Sequence, residues 1–149
     1  MANKVEIVNK KAKFEYTILD KYEAGIVLTG TEIKSIRQNK ASLSDAYCVF
    51  KDGELWVKNL HISEYANGTY NNHDPKRDRK LLLHKYQLKR LESKIKESGL
   101  TIVPLRLYLN DKGLAKLEIA LVRGKKEYDK REAIKKRESE RNISKYLKP

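Results

Sequence analysis

The sequence predicts a mainly β (α+β) protein, a small antiparallel barrel of six strands with flanking helices and a C-terminal tail. Apolar and polar residues alternate over several short segments, which is the period of half-buried strands. The turns at 52–53 and 110–113 are short enough for hairpins, which favours antiparallel pairing over parallel crossovers. Closure into a barrel would remove exposed edge strands, and the oligonucleotide-binding (OB) type of closed barrel suits a basic chain.

The first elements are two strands and a short helix. Alternation over 14–18 and an apolar run over 24–28 each predict a strand. After Gly30 the apolar residues fall three apart, which predicts a helix over 31–37. A threonine on either side of Gly30 is available to cap its first amides.

The middle of the chain predicts a hairpin followed by a loop. Asp52-Gly53 provides the two positive φ angles of a type I′ turn, so 49–56 is expected to form a hairpin whose second arm continues to Ile62. From 64 to 80 the chain is polar and without period. Such a stretch predicts a long surface loop, which is commonly functional or disordered.

The last elements of the body are a helix and a hairpin. Leu88, Leu91 and Ile95 recur at helical spacing before Gly99, which predicts an amphipathic helix with a glycine C-cap. Alternation over 101–109 and again over 115–121 predicts two strands joined by a turn.

The charge favours a polyanionic partner. Among 149 residues, 33 are Lys or Arg and 20 are Asp or Glu, giving a net charge of +13. A basic protein with no nucleic-acid role is the alternative. No apolar run approaches twenty residues, no hydrophobic N-terminal segment is present, and Cys48 is the single cysteine. We therefore expect one soluble, cytoplasmic domain with no membrane partner.

The sequence offers little for catalysis. His61, His73 and His84 lack the spacing of a metal motif, and no phosphate-binding or nucleophile-turn motif is present. Glu32 is a candidate carboxylate without a paired second one. We expect no catalytic residue, metal, cofactor or small-molecule substrate. An RNA-processing enzyme that uses Glu32 and a histidine stays open as an alternative, as does a ribosome-bound structural protein.

The sequence contains more residues suited to nucleic-acid binding than to catalysis. Four cations fall within Pro75–Lys80, and Tyr65, Tyr70 and His73 lie just upstream, so phosphate neutralisation and base stacking could combine on RNA. Two further basic patches are Lys34, Arg37 and Lys40, and Lys10, Lys11 and Lys13.

Residues 125–149 form a highly charged tail with ten basic and five acidic residues. Helix-forming residues are frequent, and Glu127 lies four residues before Arg131 in the favourable order, which adds a few tenths of a kcal/mol. This is too little to hold an isolated helix in water. The tail is therefore expected to fold only when phosphates neutralise its charge.

Four segments resemble the SsrA-binding protein family (small protein B), in the same order along the chain. The first is AGIVLTGTEIKSIR at 24–37; the others lie at 45–62, at 75–84 and at 124–131. Together they extend over essentially the whole chain. The match at four ordered segments is far more specific than any one of them.

The resemblance implies a non-catalytic adaptor that binds transfer-messenger RNA and delivers it to stalled bacterial ribosomes for trans-translation, in place of an anticodon arm. It implies an OB-type RNA-binding domain over 1–124. The basic tail over 125–149 would be disordered when free and helical on the ribosome, where it probes the empty mRNA channel. The implied partners of this monomer are the tRNA-like domain of that RNA and the ribosome, mainly its small-subunit rRNA.

The resemblance also assigns residues to these roles. The implied contacts with transfer-messenger RNA are Asn9, Lys10, Lys11, Gly30, Glu32, Lys34, Arg37, Arg77, Arg79 and Lys80. The implied contacts of the tail with the decoding centre and mRNA channel are Lys125, Lys126, Tyr128, Asp129, Lys130, Arg131, Lys135, Lys136 and Arg137.

Overall fold

The computed structural model describes residues 5–66, 72–97 and 99–124. These residues contain nine strands and three helices. In chain order they are β1 (Glu6–Val8), α1 (Lys10–Glu15), β2 (Tyr16–Ile26), α2 (Gly30–Arg37), β3 (Ala41–Ser42), β4 (Tyr47–Lys51), β5 (Glu54–Lys58), β6 (His61–Ile62), β7 (Arg79–Leu82), α3 (Lys85–Ile95), β8 (Leu100–Leu109) and β9 (Ala115–Gly124). The protein is thus mainly β, as predicted, although the described residues contain nine strands where the sequence predicted six.

Seven strands form one antiparallel sheet in the order β1-β8-β4-β5-β7-β2-β9. β8 pairs additionally with β9, the strand at the far end of that order. β3 and β6 form a separate two-stranded sheet. Within the part of the chain that the structure describes, no helix is long and apolar enough to cross a membrane.

The core lies on both faces of β8 and β9. Ile102 and Leu107 join the larger apolar cluster, which α3 covers through Leu91. Val103 and Leu105 point into a smaller cluster covered by Ala12 of α1. Each large apolar side chain buried in this way contributes about 1.5–3 kcal/mol, so the two strands supply much of the stability of the body.

The N-terminal strand prediction was wrong in part. Asn9 caps α1, and its side-chain oxygen accepts a hydrogen bond from the Ala12 amide at 3.2 Å. The chain is therefore helical through Glu15, and Phe14 lies on the helix with 78% of its surface exposed. β2 begins at Tyr16 and runs unbroken to Ile26, so the two predicted strands are one.

The short helix and the first hairpin are confirmed. Thr29 is the N-cap of α2. Asp52 and Gly53 have φ angles of 54° and 78°, as a type I′ turn between β4 and β5 requires. Asn59, with a φ of 59°, separates β5 from β6, so the second arm is interrupted before Ile62.

The predicted loop over 64–80 was wrong at its end. Arg79 and Lys80 belong to β7, which pairs with β5 through Trp56↔Lys80 and with β2 through Ile26↔Leu81. Arg79 occupies a buried position of this strand where an apolar residue would be expected, so the strand has no apolar period. An arginine can be buried there because Glu32, which is distant in sequence, neutralises its charge.

The amphipathic helix over 88–95 and the final hairpin are confirmed as α3, β8 and β9. The predicted glycine C-cap was wrong, because α3 ends at Ile95 with Lys96 as its C-cap, before Gly99 is reached.

Candidate nucleic-acid interface

The first turn of α2 is fixed by a capping box. The Thr29 hydroxyl accepts a hydrogen bond from the Glu32 amide at 3.4 Å, and the Glu32 carboxylate accepts one from the Thr29 amide at 2.8 Å. A carboxylate at this helix end also complements the helix dipole. Glu32 therefore has a local structural role before any partner is considered.

Two arginines from β7 and the segment before it bind the same carboxylate. Arg77 Nη2 lies 2.7 Å from Glu32 Oε1, and Arg79 Nε lies 2.5 Å from Glu32 Oε2. We call these three residues the Glu32 cluster. Glu32 and Arg79 are fully buried, and Arg79 also donates to the Leu60 carbonyl at 2.6 Å. The cluster therefore ties α2 to the end of the 64–80 segment and, through Arg79, to Leu60.

The charges within the Glu32 cluster support each other. Burial alone would raise the pKa of Glu32, but hydrogen bonds from Arg77, the Thr29 amide and Arg79 bring it below its ordinary value. Burial lowers the pKa of Arg79, while Glu32 beside it acts in the opposite direction. Because the ordinary pKa of an arginine side chain lies far above neutral pH, Arg79 stays charged. The cluster is an ion-paired structural element at neutral pH.

Three of the residues expected to contact RNA are buried. Besides Glu32 and Arg79, the side chain of Asn9 is buried, and its amide donates to the Pro104 carbonyl at 2.9 Å. A buried and hydrogen-bonded side chain has no free group to offer to a phosphate or a base. The structure therefore leaves no free polar side-chain group at these three positions, and the contact with RNA implied for them stays a prediction.

Another group of expected contacts is exposed. Lys10, Lys34 and Arg37 have exposed side chains and form no ion pair with another described residue. Lys11 is also exposed and lies 3.6 Å from Glu15. Gly30 is exposed, and a Cβ added there would meet no atom within 4 Å.

Arg77 and Lys80 are intermediate cases. One third of the Arg77 side chain remains exposed although its guanidinium binds Glu32. The Lys80 ammonium on β7 forms an ion pair with Glu54 on the neighbouring strand β5. Each has part of its charge neutralised within the protein, so each is a weaker anion ligand than Lys34 or Arg37.

The aromatic side chains near the loop also differ in exposure. Tyr65 is half-buried, and the Lys34 ammonium lies 5.5 Å from its ring centroid. His73 is buried with both ring nitrogens hydrogen-bonded, so the expectation that it stacks on a base was wrong. Tyr70 and every tail position named above lie outside the described residues.

Sequence reasoning missed two features of this region. Asn72 accepts a hydrogen bond from the Tyr65 amide and donates one to the Tyr65 carbonyl, and neither bond is indicated by the sequence pattern between the two residues. The outer face of α3 exposes Lys85, Lys89 and Arg90, which helical spacing alone could have grouped as a further basic surface. Across the described ranges, no group of three or more His, Cys, Asp or Glu is placed to hold a metal ion.

An antiparallel β body that presents cations from α1 and α2 over a buried ionic support is typical of a small nucleic-acid-binding protein. The chain belongs to the SmpB protein family, whose model matches residues 6–149. The family resemblance predicted from the sequence is thereby confirmed.

Individual relatives agree along nearly the whole chain. The SsrA-binding protein of Parabacteroides distasonis is 56% identical over 148 residues, covering 99% of this chain and 97% of that protein. The SsrA-binding protein of Cytophaga hutchinsonii is 60% identical over 139 residues, covering 93% of this chain and 91% of that protein. A solved structure described as "tmRNA-SmpB: a journey to the center of the bacterial ribosome" is similar with a TM-score of 0.70 and 49% identity, covering 81% of this chain and 85% of that one.

Proposed function

We propose that this protein is an RNA-binding adaptor that binds transfer-messenger RNA and brings it to stalled bacterial ribosomes for trans-translation. The observation that carries the proposal is the likeness to the tmRNA-SmpB structure, at 49% identity over 81% of this chain. The match to an SsrA-binding protein extends over 99% of this chain at 56% identity. In this role the body takes the place of an anticodon arm.

The exposed cations are the groups that grip the RNA. Lys34 and Arg37 on α2, with Lys10 and Lys11 on α1, provide charge to phosphates, since their ammonium and guanidinium groups reach solvent. The open space around Gly30 lets an RNA strand approach the backbone at the start of α2. Arg77 and Lys80 add weaker contacts.

The RNA-binding domain spans residues 1–124 and is a closed barrel of the OB type. The support is the pairing pattern, in which β8, β4, β5, β7, β2 and β9 pair in turn and β9 returns to β8. Residues 125–149 act as a separate basic tail, disordered when free. Their charge and helix-forming composition fit a segment that becomes helical inside the RNA-lined mRNA channel.

The adaptor acts without a catalytic step, as a cytoplasmic monomer. The alternative enzyme would use Glu32 and a histidine, but Glu32 is buried and paired with Arg77 and Arg79. His73 is likewise occupied by two hydrogen bonds. Neither group is free to act on a substrate.

One experiment tests binding against turnover. Purified protein is incubated with a transcript of the tRNA-like domain of transfer-messenger RNA and magnesium, and both complex formation and RNA cleavage are followed. The adaptor forms a complex with intact RNA. Cleavage would favour an RNA-processing enzyme, and binding to ribosomes without any affinity for the transcript would favour a structural ribosomal protein.

A second experiment separates the body from the tail. Ending the chain after Gly124 should leave binding of the transcript nearly intact and abolish peptide tagging on stalled ribosomes. Simultaneous loss of both activities would contradict the division between a body that grips and a tail that probes.

A further inference from the structure

His73 bridges two elements that are far apart in sequence. Its Nδ1 lies 2.9 Å from the Thr31 hydroxyl in the first turn of α2, and its Nε2 lies 2.9 Å from the Ile62 carbonyl in β6. The residue is 7% exposed, so both hydrogen bonds are shielded from water. A buried imidazole with two such partners is a fixed connection rather than a surface group.

The two hydrogen-bond partners of His73 determine which ring nitrogen donates and which accepts. A carbonyl oxygen only accepts, so Nε2 carries the hydrogen that is donated to Ile62. In the neutral ring Nδ1 is then an acceptor, and the Thr31 hydroxyl donates to it. His73 thus donates a hydrogen bond at Nε2 and accepts one at Nδ1.

β6 holds α2 at its other end as well. The Ser63 amide donates to the Lys40 carbonyl at 2.9 Å, and the Lys40 amide donates to the Ser35 carbonyl at 3.0 Å. Next to these bonds, Ala41 of β3 pairs with Ile62 of β6. The two ends of α2 are therefore connected to the neighbouring residues Ile62 and Ser63, through His73 at the N-terminal end and through Lys40 at the C-terminal end.

Asn72 fixes the backbone that carries His73. Its side-chain oxygen accepts from the His73 amide at 3.2 Å and from the Tyr65 amide at 3.1 Å, and its amide group donates to the Tyr65 carbonyl at 2.8 Å. Tyr65 in turn lies under the Lys34 ammonium. The position of one exposed cation is thus connected to the same set of hydrogen bonds.

We propose that His73 is a positioning residue for RNA binding, which holds α2 so that Lys34 and Arg37 face the RNA together. This inference rests on the proposed function. It differs from a purely structural role because removal of the link should weaken RNA binding by protein that is still folded.

The test uses His73→Gln, Thr31→Val and the double variant, with the tRNA-like-domain transcript as probe. Gln can keep a donor near the Ile62 carbonyl, but its acceptor oxygen is one bond farther from the backbone than Nδ1 and is therefore displaced from Thr31. Val removes the Thr31 hydroxyl with little change of shape. Loss of one such hydrogen bond corresponds to about a fivefold to tenfold weaker affinity for each single variant. The double variant should bind no more weakly than the weaker single, since both changes break the same link.

The salt dependence provides a second readout. Neither substitution removes a positive charge, so the slope of log affinity against log salt concentration should equal that of wild type. Thermal unfolding of each variant identifies a temperature at which all are folded. Thr31→Val alters one half-buried side chain, so it tests the link even if His73→Gln proves too unstable.

Wild-type affinity in folded Thr31→Val and His73→Gln proteins would overturn the proposal, because His73 would then serve stability alone. Additive losses in the double variant would also overturn it, since Thr31 would then contact RNA independently. Lys34→Ala/Arg37→Ala serves as the reference. If it weakens binding while His73→Gln and Thr31→Val do not, only this inference fails, whereas wild-type protein that does not bind the transcript refutes the proposed function itself.

Discussion

Two sets of charges surround the same short helix and have opposite environments. Glu32 and Arg79 are fully buried and bound to each other, whereas Lys34 and Arg37 are exposed without an ionic partner among the described residues. Sequence position does not separate the two sets, since Glu32 and Lys34 are two residues apart. The comparison shows that the environment, and not the residue type, determines which charges are paired inside the protein and which remain exposed to a partner.

The physical reason is desolvation. Burial of an ion pair costs the hydration free energy of both charges. The attraction between the charges offsets this cost only where several hydrogen bonds satisfy them, as those from the two arginines do at Glu32. Such a cluster fixes geometry, and it loses much when one member is removed. An exposed cation keeps its hydration and can exchange it for a phosphate, with release of counterions.

The largest effect is expected from breaking the interior set. Glu32→Ala leaves the Arg79 charge buried without its carboxylate, which should lower the free energy of unfolding by about 3–5 kcal/mol. Urea denaturation measures this loss. The matched control is Glu54→Ala, which removes a half-exposed partner of Lys80 and should cost less than about 1 kcal/mol. Equal losses in the two variants would mean that burial does not distinguish the pairs.

The exposed set should show the reverse behaviour. Lys34→Ala/Arg37→Ala removes one or two charged contacts and should weaken binding of the tRNA-like-domain transcript by about tenfold to a hundredfold. Its free energy of unfolding should stay within about 0.5 kcal/mol of wild type, because neither side chain is buried. Titration of labelled transcript measures the affinity. A stability loss comparable to that of Glu32→Ala would remove the distinction.

Acid should weaken the interior set by protonating Glu32. The folded-state pKa of Glu32 lies below its ordinary value of 4.5, so its stabilising contribution is complete above that pH and is lost as the pH falls through the lower folded value. The difference in unfolding free energy between wild type and Glu32→Gln should therefore shrink below pH 4.5. A difference that stayed constant into that range would show that the carboxylate is not the source of the stabilisation.

The smallest effect compares two neighbouring lysines on α1. Lys10 has no ionic partner among the described residues, whereas Lys11 lies 3.6 Å from Glu15. Lys10→Ala should lower the slope of log affinity against log salt by about one unit. Lys11→Ala should lower it by less, because Glu15 already competes for that charge. A larger change for Lys11 would mean that RNA displaces the Glu15 pair at no cost.

Much of the fold followed from local patterns. The Asp52-Gly53 turn, the helix after Thr29 and the last hairpin were predictable because each depends on neighbouring residues. β7 was not, since its buried Arg79 looks like a loop cation until Glu32 is known to lie beside it. A charge partner 47 residues away leaves no mark in a hydropathy pattern.

The candidate site was predictable only as a set of residues. The family resemblance brought α1, α2 and the segment before β7 together, and the structure then separated exposed Lys34 from buried Asn9. That separation depends on long-range hydrogen bonds, such as the one from Asn9 to the Pro104 carbonyl. The tail beyond Gly124 remains a prediction from composition and resemblance.

The central claim is that interior charges hold the surface while exposed charges bind RNA. The most direct test measures the salt slope of transcript binding for Lys34→Ala/Arg37→Ala beside Arg79→Lys, which keeps the charge but loses the planar guanidinium fork. The account predicts that the slope falls by about two units in the first variant and stays at the wild-type value in the second, measured where both are folded. An unchanged slope in the first variant, or an equal fall in the second, would contradict it.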